Sequence, residues 1–348
     1  MIVVCPAGGI LRTSAGIGYS MDGGLHSPGR RGARVARDVK GPTMRRTALT
    51  LLTAAVGLAA GCSHQPYLTP EREAKGRVVV LPGVEGRSPL NYTIVEGLAA
   101  GGVDWGIDLQ DWTLPLGPLY NLRNELGNRQ KAGEIAIRIA EYKFAHPDNP
   151  VVVVGQSGGG AMALWVAESM PENQHLDGLI LLDPAISPGY MVDFALSKTK
   201  RGAISFYSEK DWVFLGFGTT LYGTMDGRHT SSAGRVGFSV PAGSARPKAY
   251  DKLFQIAWHK QMAAAGHTGG HFSTSAKDFV KNYVAPFVLA KRWDDDAVAA
   301  VLTGRKIDSG RLGPMKEWTP QPGRDWPAEQ ERRLPSPDNP PPGPARTP

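Results

Sequence analysis

Short apolar runs, set apart by longer segments with helical spacing, give residues 77–292 their rhythm. Val78–Leu81, Val103–Leu109, Val151–Val154, Leu176–Leu182, Ala203–Tyr207 and Leu253–Trp258 read as strands. The valine run is continuous rather than alternating, as in a strand covered on both faces. Tyr92–Ala100, Asn124–His146, Ala161–Met170 and Met191–Lys198 read as helices, with Ser275–Leu289 closing the series. In Asn124–His146, residues Ile135, Ala136, Ile139, Ala140 and Tyr142 recur at helical spacing. Strands alternating with helices predict an α/β domain over 77–292: a mostly or wholly parallel sheet of about six strands, helices on both faces. Pro82–Gly86, Asp111–Leu122, Ser208–Asp211 and the Gly-rich stretch 212–247 fall between elements as loops. No internal repeat is present.

The two ends differ from this middle. Residues 1–61 hold eight Lys/Arg against Asp22 and Asp38, which is +6 of the net +7 of the chain. The remainder is nearly neutral, so it carries no electrostatic footprint for nucleic acid. From Met44 the chain reads Arg45-Arg46, an apolar stretch Ala48–Ala60, then Gly61-Cys62. A positive start, a short apolar run and small residues ahead of a cysteine resemble a bacterial lipoprotein signal peptide. Ala59 stands three before Cys62, where that family favours Leu; Leu58 is one place off. The resemblance implies a signal peptide over 44–61, lipidation at Cys62, and a protein anchored to a membrane of the bacterial envelope. A plain signal peptide or short anchor is the alternative, and the run is too short for a comfortable transmembrane helix. Residues 1–43 read as a disordered leader or an upstream mis-start, 62–76 as a polar tether, and 305–348 as a disordered tail. Eleven of the 28 prolines lie at or beyond Pro314.

Chemistry enters at Gly155-Gln156-Ser157-Gly158-Gly159, directly behind the valine strand. Gly158–Gly160 reads as a tight turn into the following helix. A serine at a strand–turn–helix corner is forced into a strained backbone that lifts its hydroxyl above the sheet, and small residues on either side permit the close approach. Cys5 and Cys62 are the only cysteines, so the 77–292 domain has no disulfide, no cysteine metal site and no thiol nucleophile.

A serine hydroxyl needs a base within reach and an acid to orient that base. Here the chain resembles the α/β-hydrolase superfamily of serine esterases and lipases over roughly residues 76–292. The order in that family is nucleophile, acid, histidine. The resemblance implies Ser157 as nucleophile and Asp211, after Ala203–Tyr207, as acid; Asp183 in Leu182-Asp183-Pro184 is the rival, with Asp226 behind it. It implies His271 as base, with His267 in the same Gly266–Phe272 loop as the rival and His259 behind. His146, His175 and His229 read as ordinary surface or loop residues. The oxyanion hole would use the backbone N–H groups of Gly158 and of Val84 or Gly83. Many lipases have His-Gly where this chain has Pro82-Gly83, and Glu85 beside it reads as a loop brace. No metal or cofactor is required.

The function so implied is hydrolysis of carboxylic esters through an acyl-enzyme. A peptidase, thioesterase or acyltransferase on the same fold stays open, as does a catalytically silent envelope lipoprotein that uses the scaffold for binding. Nucleotide binding is disfavoured, since Gly155–Gly160 lacks both a P-loop lysine and the G-x-G-x-x-G spacing. Trp112, Leu114, Leu116, Tyr120, Trp212, Phe214, Leu215, Phe217 and Tyr222 are the apolar residues expected near the mouth, for an acyl group or lipid.

Overall fold

The computed structural model describes residues 65–211, 222–241, 244 and 246–304. The leader, signal segment, Cys62, the segment Trp212–Phe217 and the Pro-rich tail lie outside them. The six apolar runs form one sheet: β1 (Arg77–Leu81), β2 (Gly106–Leu109), β3 (Val151–Gln156), β4 (Gly178–Leu182), β5 (Ala203–Tyr207) and β6 (Leu253–Ala257). Their order is β2-β1-β3-β4-β5-β6 and every neighbouring pair is parallel. The six-stranded α/β reading of the sequence is therefore met.

Alternation along the strands splits the core in two. Val79, Leu81, Val151, Val153, Leu179 and Leu181 face one side, under α2 (Glu125–Ala145) and α3 (Gly158–Glu168). Val78, Val80, Val152, Val154, Ile180 and Leu182 face the other. There they meet α1 (Pro89–Ala100) and the closing helical segment 277–289. Because both faces are dry, the strands needed no polar alternation, which is why they read as continuous runs.

Boundaries moved where caps and proline decide them. Helix α1 starts at Pro89, ahead of the expected Tyr92, because Ser88 supplies an N-cap and its N–H donates to the Asn91 carboxamide (2.9 Å). Met191–Lys198 shortens to α4 (Asp193–Ser197). The closing helix is not continuous: a π turn over Val280–Val284 precedes Ala285–Leu289. Pro286 sits just after it, and a proline without an N–H is accommodated by widening the preceding turn. A further helix, α6 if 277–289 is α5, covers Asp295–Leu302 beyond the expected domain end at 292. Asp294 caps it by accepting from Ala297 N–H (2.8 Å), and Val301 joins the core.

Within the 62–76 stretch expected as a tether, residues 65–76 lie along the outer edge of β2. Ile107 N–H donates to the Tyr67 carbonyl (2.9 Å) and Leu109 N–H to the Gln65 side chain (2.7 Å). The Arg72 guanidinium donates to the carbonyls of Tyr67, Val103 and Trp105. An otherwise bare sheet edge is thus closed. No helix among the described residues is long and apolar enough to cross a membrane.

The strand order reverses direction between β1 and β3. In open parallel sheets ligands bind outside the carboxyl ends of the strands at this reversal, where the flanking loops part to opposite faces. The loops leaving β1 and β3 here are Pro82–Gly86 and the serine turn.

Candidate active site

Ser157 follows β3 directly, with φ 55° and ψ −119°, a left-handed conformation that a serine adopts only under constraint. Three backbone bonds hold it there. Its N–H donates to the Leu182 carbonyl (2.9 Å), and its carbonyl accepts from Gly160 (2.9 Å) and Ala185 (3.0 Å). The flanking glycines are required by close approach: a Cβ on Gly155 would stand 2.1 Å from the Gly159 carbonyl oxygen, and one on Gly159 2.2 Å from that of Leu81. Gly158, read as part of a turn, is already the first residue of α3.

The strained turn carries the hydroxyl to His271. Ser157 Oγ lies 2.9 Å from His271 Nε2, and His271 Nδ1 lies 2.7 Å from Asp211 Oδ2. All three residues are buried. With Nδ1–H donated to the carboxylate, Nε2 presents its lone pair to the serine hydroxyl. The structure therefore brings together Ser157, Asp211 and His271, three residues singled out in the sequence. A hydroxyl, an imidazole and a carboxylate in this order can move the serine proton onto nitrogen and stabilise the resulting positive charge.

Each partner is held by its own element. Asp211 follows β5 through a turn in which its N–H donates to the Ser208 carbonyl (3.0 Å). Ser208 also ties this loop to the histidine loop by donating its hydroxyl to the Gly269 carbonyl (2.7 Å). Trp258, after β6, donates Nε1–H to the His267 carbonyl (2.7 Å). The histidine loop is thereby fixed at two points.

The rivals stand elsewhere. His267 is buried and packed on Phe279 with ring centroids 4.6 Å apart. Its Nδ1 meets the Ser273 hydroxyl (2.7 Å), and burial, with the nearby His259, pushes it down to about 4. It is a neutral strut for the loop. His259 bonds Gln261, and Asp226 accepts from Ser187 N–H (2.9 Å) and Thr224. Burial depresses His175, with Lys198 and other lysines adding to it. Asp183 is different. It does not bond His271, yet one oxygen of Asp183, one of Asp211 and a ring nitrogen of His271 all lie within 4.8 Å of one another. Burial raises the Asp183 carboxyl well above the ordinary carboxylate range, the Asp211 charge adds to this, and Thr274 tempers it.

The Pro82–Gly86 loop faces the serine turn, since a Cβ on Gly158 would approach Val84 Cγ1 to 2.7 Å. Two residues that sequence reasoning did not assign to this loop brace it. Trp112, noted only for its apolar surface, donates Nε1–H to the Pro82 carbonyl (2.8 Å). Asn121 donates to the Val84 carbonyl (3.0 Å) and accepts from Leu114 N–H (3.0 Å). Nothing local in the sequence marks either, because both bonds span about thirty or more residues. Glu85 is exposed and bonds Ser88 Oγ (3.4 Å), as expected of a brace. Leu114, Leu116, Tyr120 and Tyr222 are exposed, whereas Trp112 is buried. A groove of about 340 Å³ is lined by Trp112, Leu114, Tyr120 and Leu126 together with the polar Asn124, Asn128, Gln130 and Lys131; Ser157 and His271 are not part of its lining.

No protein-family model and no curated protein matches the chain. Solved structures do match. Lipase B of Aspergillus fumigatus is 12% identical, with 64% of this chain and 54% of that one covered and a TM-score of 0.39. Est1E of Butyrivibrio proteoclasticus is 13% identical over 67% of this chain and 92% of its own, at a TM-score of 0.36. A lipase-esterase related protein of Clostridium acetobutylicum is 10% identical over 61% and 93%, at a TM-score of 0.32.

Proposed function

We propose that this chain is a serine hydrolase that cleaves carboxylic esters through an acyl-enzyme on Ser157. The observation that carries the reading is the continuous buried chain from Ser157 Oγ through His271 to Asp211, begun by a serine in a strained left-handed turn. His271 Nε2 takes the hydroxyl proton as Oγ attacks the ester carbonyl, and Asp211 stabilises the imidazolium. The alcohol leaves with that proton. Water, deprotonated by the same nitrogen, then releases the acid. Gly158 and Val84 are the proposed N–H donors for the oxyanion, since they face each other beside the serine.

For the substrate we favour an ester, on the exposed Leu114, Leu116 and Tyr120, which offer contacts to an apolar acyl chain. We further propose export and lipidation at Cys62, supported by Arg45-Arg46, the apolar run Ala48–Ala60 and the small residues before the cysteine. Loss of radiolabelled fatty-acid incorporation in Cys62→Ser, expressed in a bacterium, is the expected result; unchanged labelling would reject that site.

The deciding experiment is hydrolysis of p-nitrophenyl esters of graded chain length by the full chain and by Ser157→Ala, with fluorophosphonate labelling read by mass spectrometry. Turnover and labelling at Ser157, both lost in the variant, are expected. Neither turnover nor labelling in the wild type would hand the scaffold to the binding-module reading.

A further inference from the structure

Among the described residues, Asp183 is the one buried acid beside the Ser157–His271–Asp211 chain that the proposed mechanism leaves unused. It leaves β4 as Asp211 leaves β5, one strand away in the same sheet. Its side chain is fully buried, and neither carboxyl oxygen has a hydrogen-bond partner of good geometry. Among the described non-glycine residues only Ser157 and Asp183 have positive φ, Asp183 at 47°. Such strain persists only where the surroundings over-determine it. Here the Asp183 N–H is tied to the Phe206 carbonyl (3.1 Å), and the Ala185 N–H, two residues on, to Ser157.

A fully buried carboxyl next to a second one is pushed toward its neutral form, and Thr274 only tempers this. The groups facing Asp183 come from three elements. They are Asp211 from the β5 exit, His271 and Thr274 from the histidine loop, and the serine turn, which carries no charge. Among the described residues, no lysine or arginine is among the groups that act on it. Asp211 Oδ2 meets His271 Nδ1 at 2.7 Å, and an oxygen of Asp183 lies within 4.8 Å of one of Asp211.

Resting on the ester-hydrolase reading, we propose that Asp183 is a positioning residue: Asp183 and Asp211 hold one proton between them, and Asp183 presents it to Asp211 to fix that carboxylate against His271. The pair then carries a single negative charge, sufficient to balance one imidazolium. No group is transferred and no atom leaves; the proton stays within the pair through the cycle. A second full negative charge beside the imidazole would make His271 a stronger base but a poorer proton donor to the leaving alcohol.

The test uses the full chain. At neutral pH the infrared difference spectrum of wild type minus Asp183→Asn should show the carbonyl stretch of a protonated carboxyl. This readout does not need activity, so it separates failure of this proposal from failure of the hydrolase reading. Its absence would overturn the proposal. Asp183→Asn keeps a neutral N–H donor and should retain kcat within about threefold, with the acid limb of the kcat/KM–pH profile in place. A downward shift of that limb by about one unit would mean that a negative charge had been removed, and would also overturn it. Asp183→Ala removes the donor and should lower kcat about tenfold at unchanged KM; wild-type kcat in that variant counts against positioning. If Asp183→Ala does not fold, the spectrum and the Asp183→Asn profile decide. Loss of activity on chelation, restored by a divalent cation, would replace the shared proton with a metal ion.

Discussion

Replacing Asp211 by Asn tests the candidate site most directly, because it changes one charge and almost no volume. Asp211 Oδ2 lies 2.7 Å from His271 Nδ1 in a buried site. When the serine proton reaches Nε2, the new positive charge spreads over a ring centred roughly 4 Å from the carboxylate. At an effective dielectric of about 20, a full negative charge at that distance is worth about 4 kcal/mol. That alone is a factor of about 10³ in rate. An amide also permits the wrong tautomer of His271, with Nε2 protonated and unable to accept, so the expected fall in kcat is about 10³ to 10⁴. KM should change little, because Asp211 is buried behind the histidine. The assay is steady-state hydrolysis of p-nitrophenyl butyrate, with thermal unfolding run beside it to show that the fold survives. Activity within tenfold of wild type in Asp211→Asn, together with a large loss in Asp183→Asn, would refute the reasoning and move the acid to β4.

Three further outcomes follow from the packing. His267 is held down to about 4 by burial and then by His259, against an ordinary 6.5, so the unfolded chain binds a proton that the folded one refuses. Stability attributable to His267 is therefore full above about pH 6.5 and falls by about 3 kcal/mol as pH drops to 4; urea midpoints of His267→Asn should fall less steeply over that window, and parallel curves would refute the assignment. Gly159→Ala places a Cβ 2.2 Å from the Leu81 carbonyl oxygen, so α3 and the Pro82–Gly86 loop must part. The expected cost is about 1–3 kcal/mol in stability and a measurable loss of kcat, and wild-type values for both would contradict the structure. Arg201 is buried, lowered to about 10 by burial against the pull of Asp177, and donates to the carbonyls of Asp177, Phe287, Val288 and Ala290. Arg201→Met should cost about 3–5 kcal/mol by stranding those carbonyls, yet leave kcat unchanged at 20 °C, since it sits at the opposite strand ends from Ser157; a matched loss of kcat would refute that separation.

What could be read from the chain was whatever a local pattern encodes. The Val151–Val154 run, the glycines around Ser157 and the strand-then-acid spacing of Asp211 each reflect a constraint carried within a few residues. Helix ends were less legible, because Ser88, Asp294 and Pro286 act through caps and a widened turn rather than through hydrophobic spacing. Separating His271 from His267 needed the third dimension. The two share a Gly-rich loop, and the difference arises from anchors on distant strands: Ser208 pins Gly269 and Trp258 pins His267. The packing of 65–76 against β2 was hidden for the same reason, since Gln65 and Tyr67 look like polar linker until the bare edge of β2 is seen beside them.

The two strained residues explain why the site stands at the middle of the sheet and not at its rim. Ser157 and Asp183 leave adjacent strands, and the backbone bonds from Ser157 to Leu182 and from Ala185 to Ser157 lock the two turns into one unit. Neither turn can relax without breaking the other. A strained turn at an edge strand would have neighbours on one side only and could open toward water. Between β1 and β5 both turns are enclosed by packed strands, so the positive φ values are held by the sheet itself. The serine hydroxyl is thus placed by the scaffold before any substrate arrives, which is the condition for a hydroxyl and an imidazole 2.9 Å apart to act without first searching for each other.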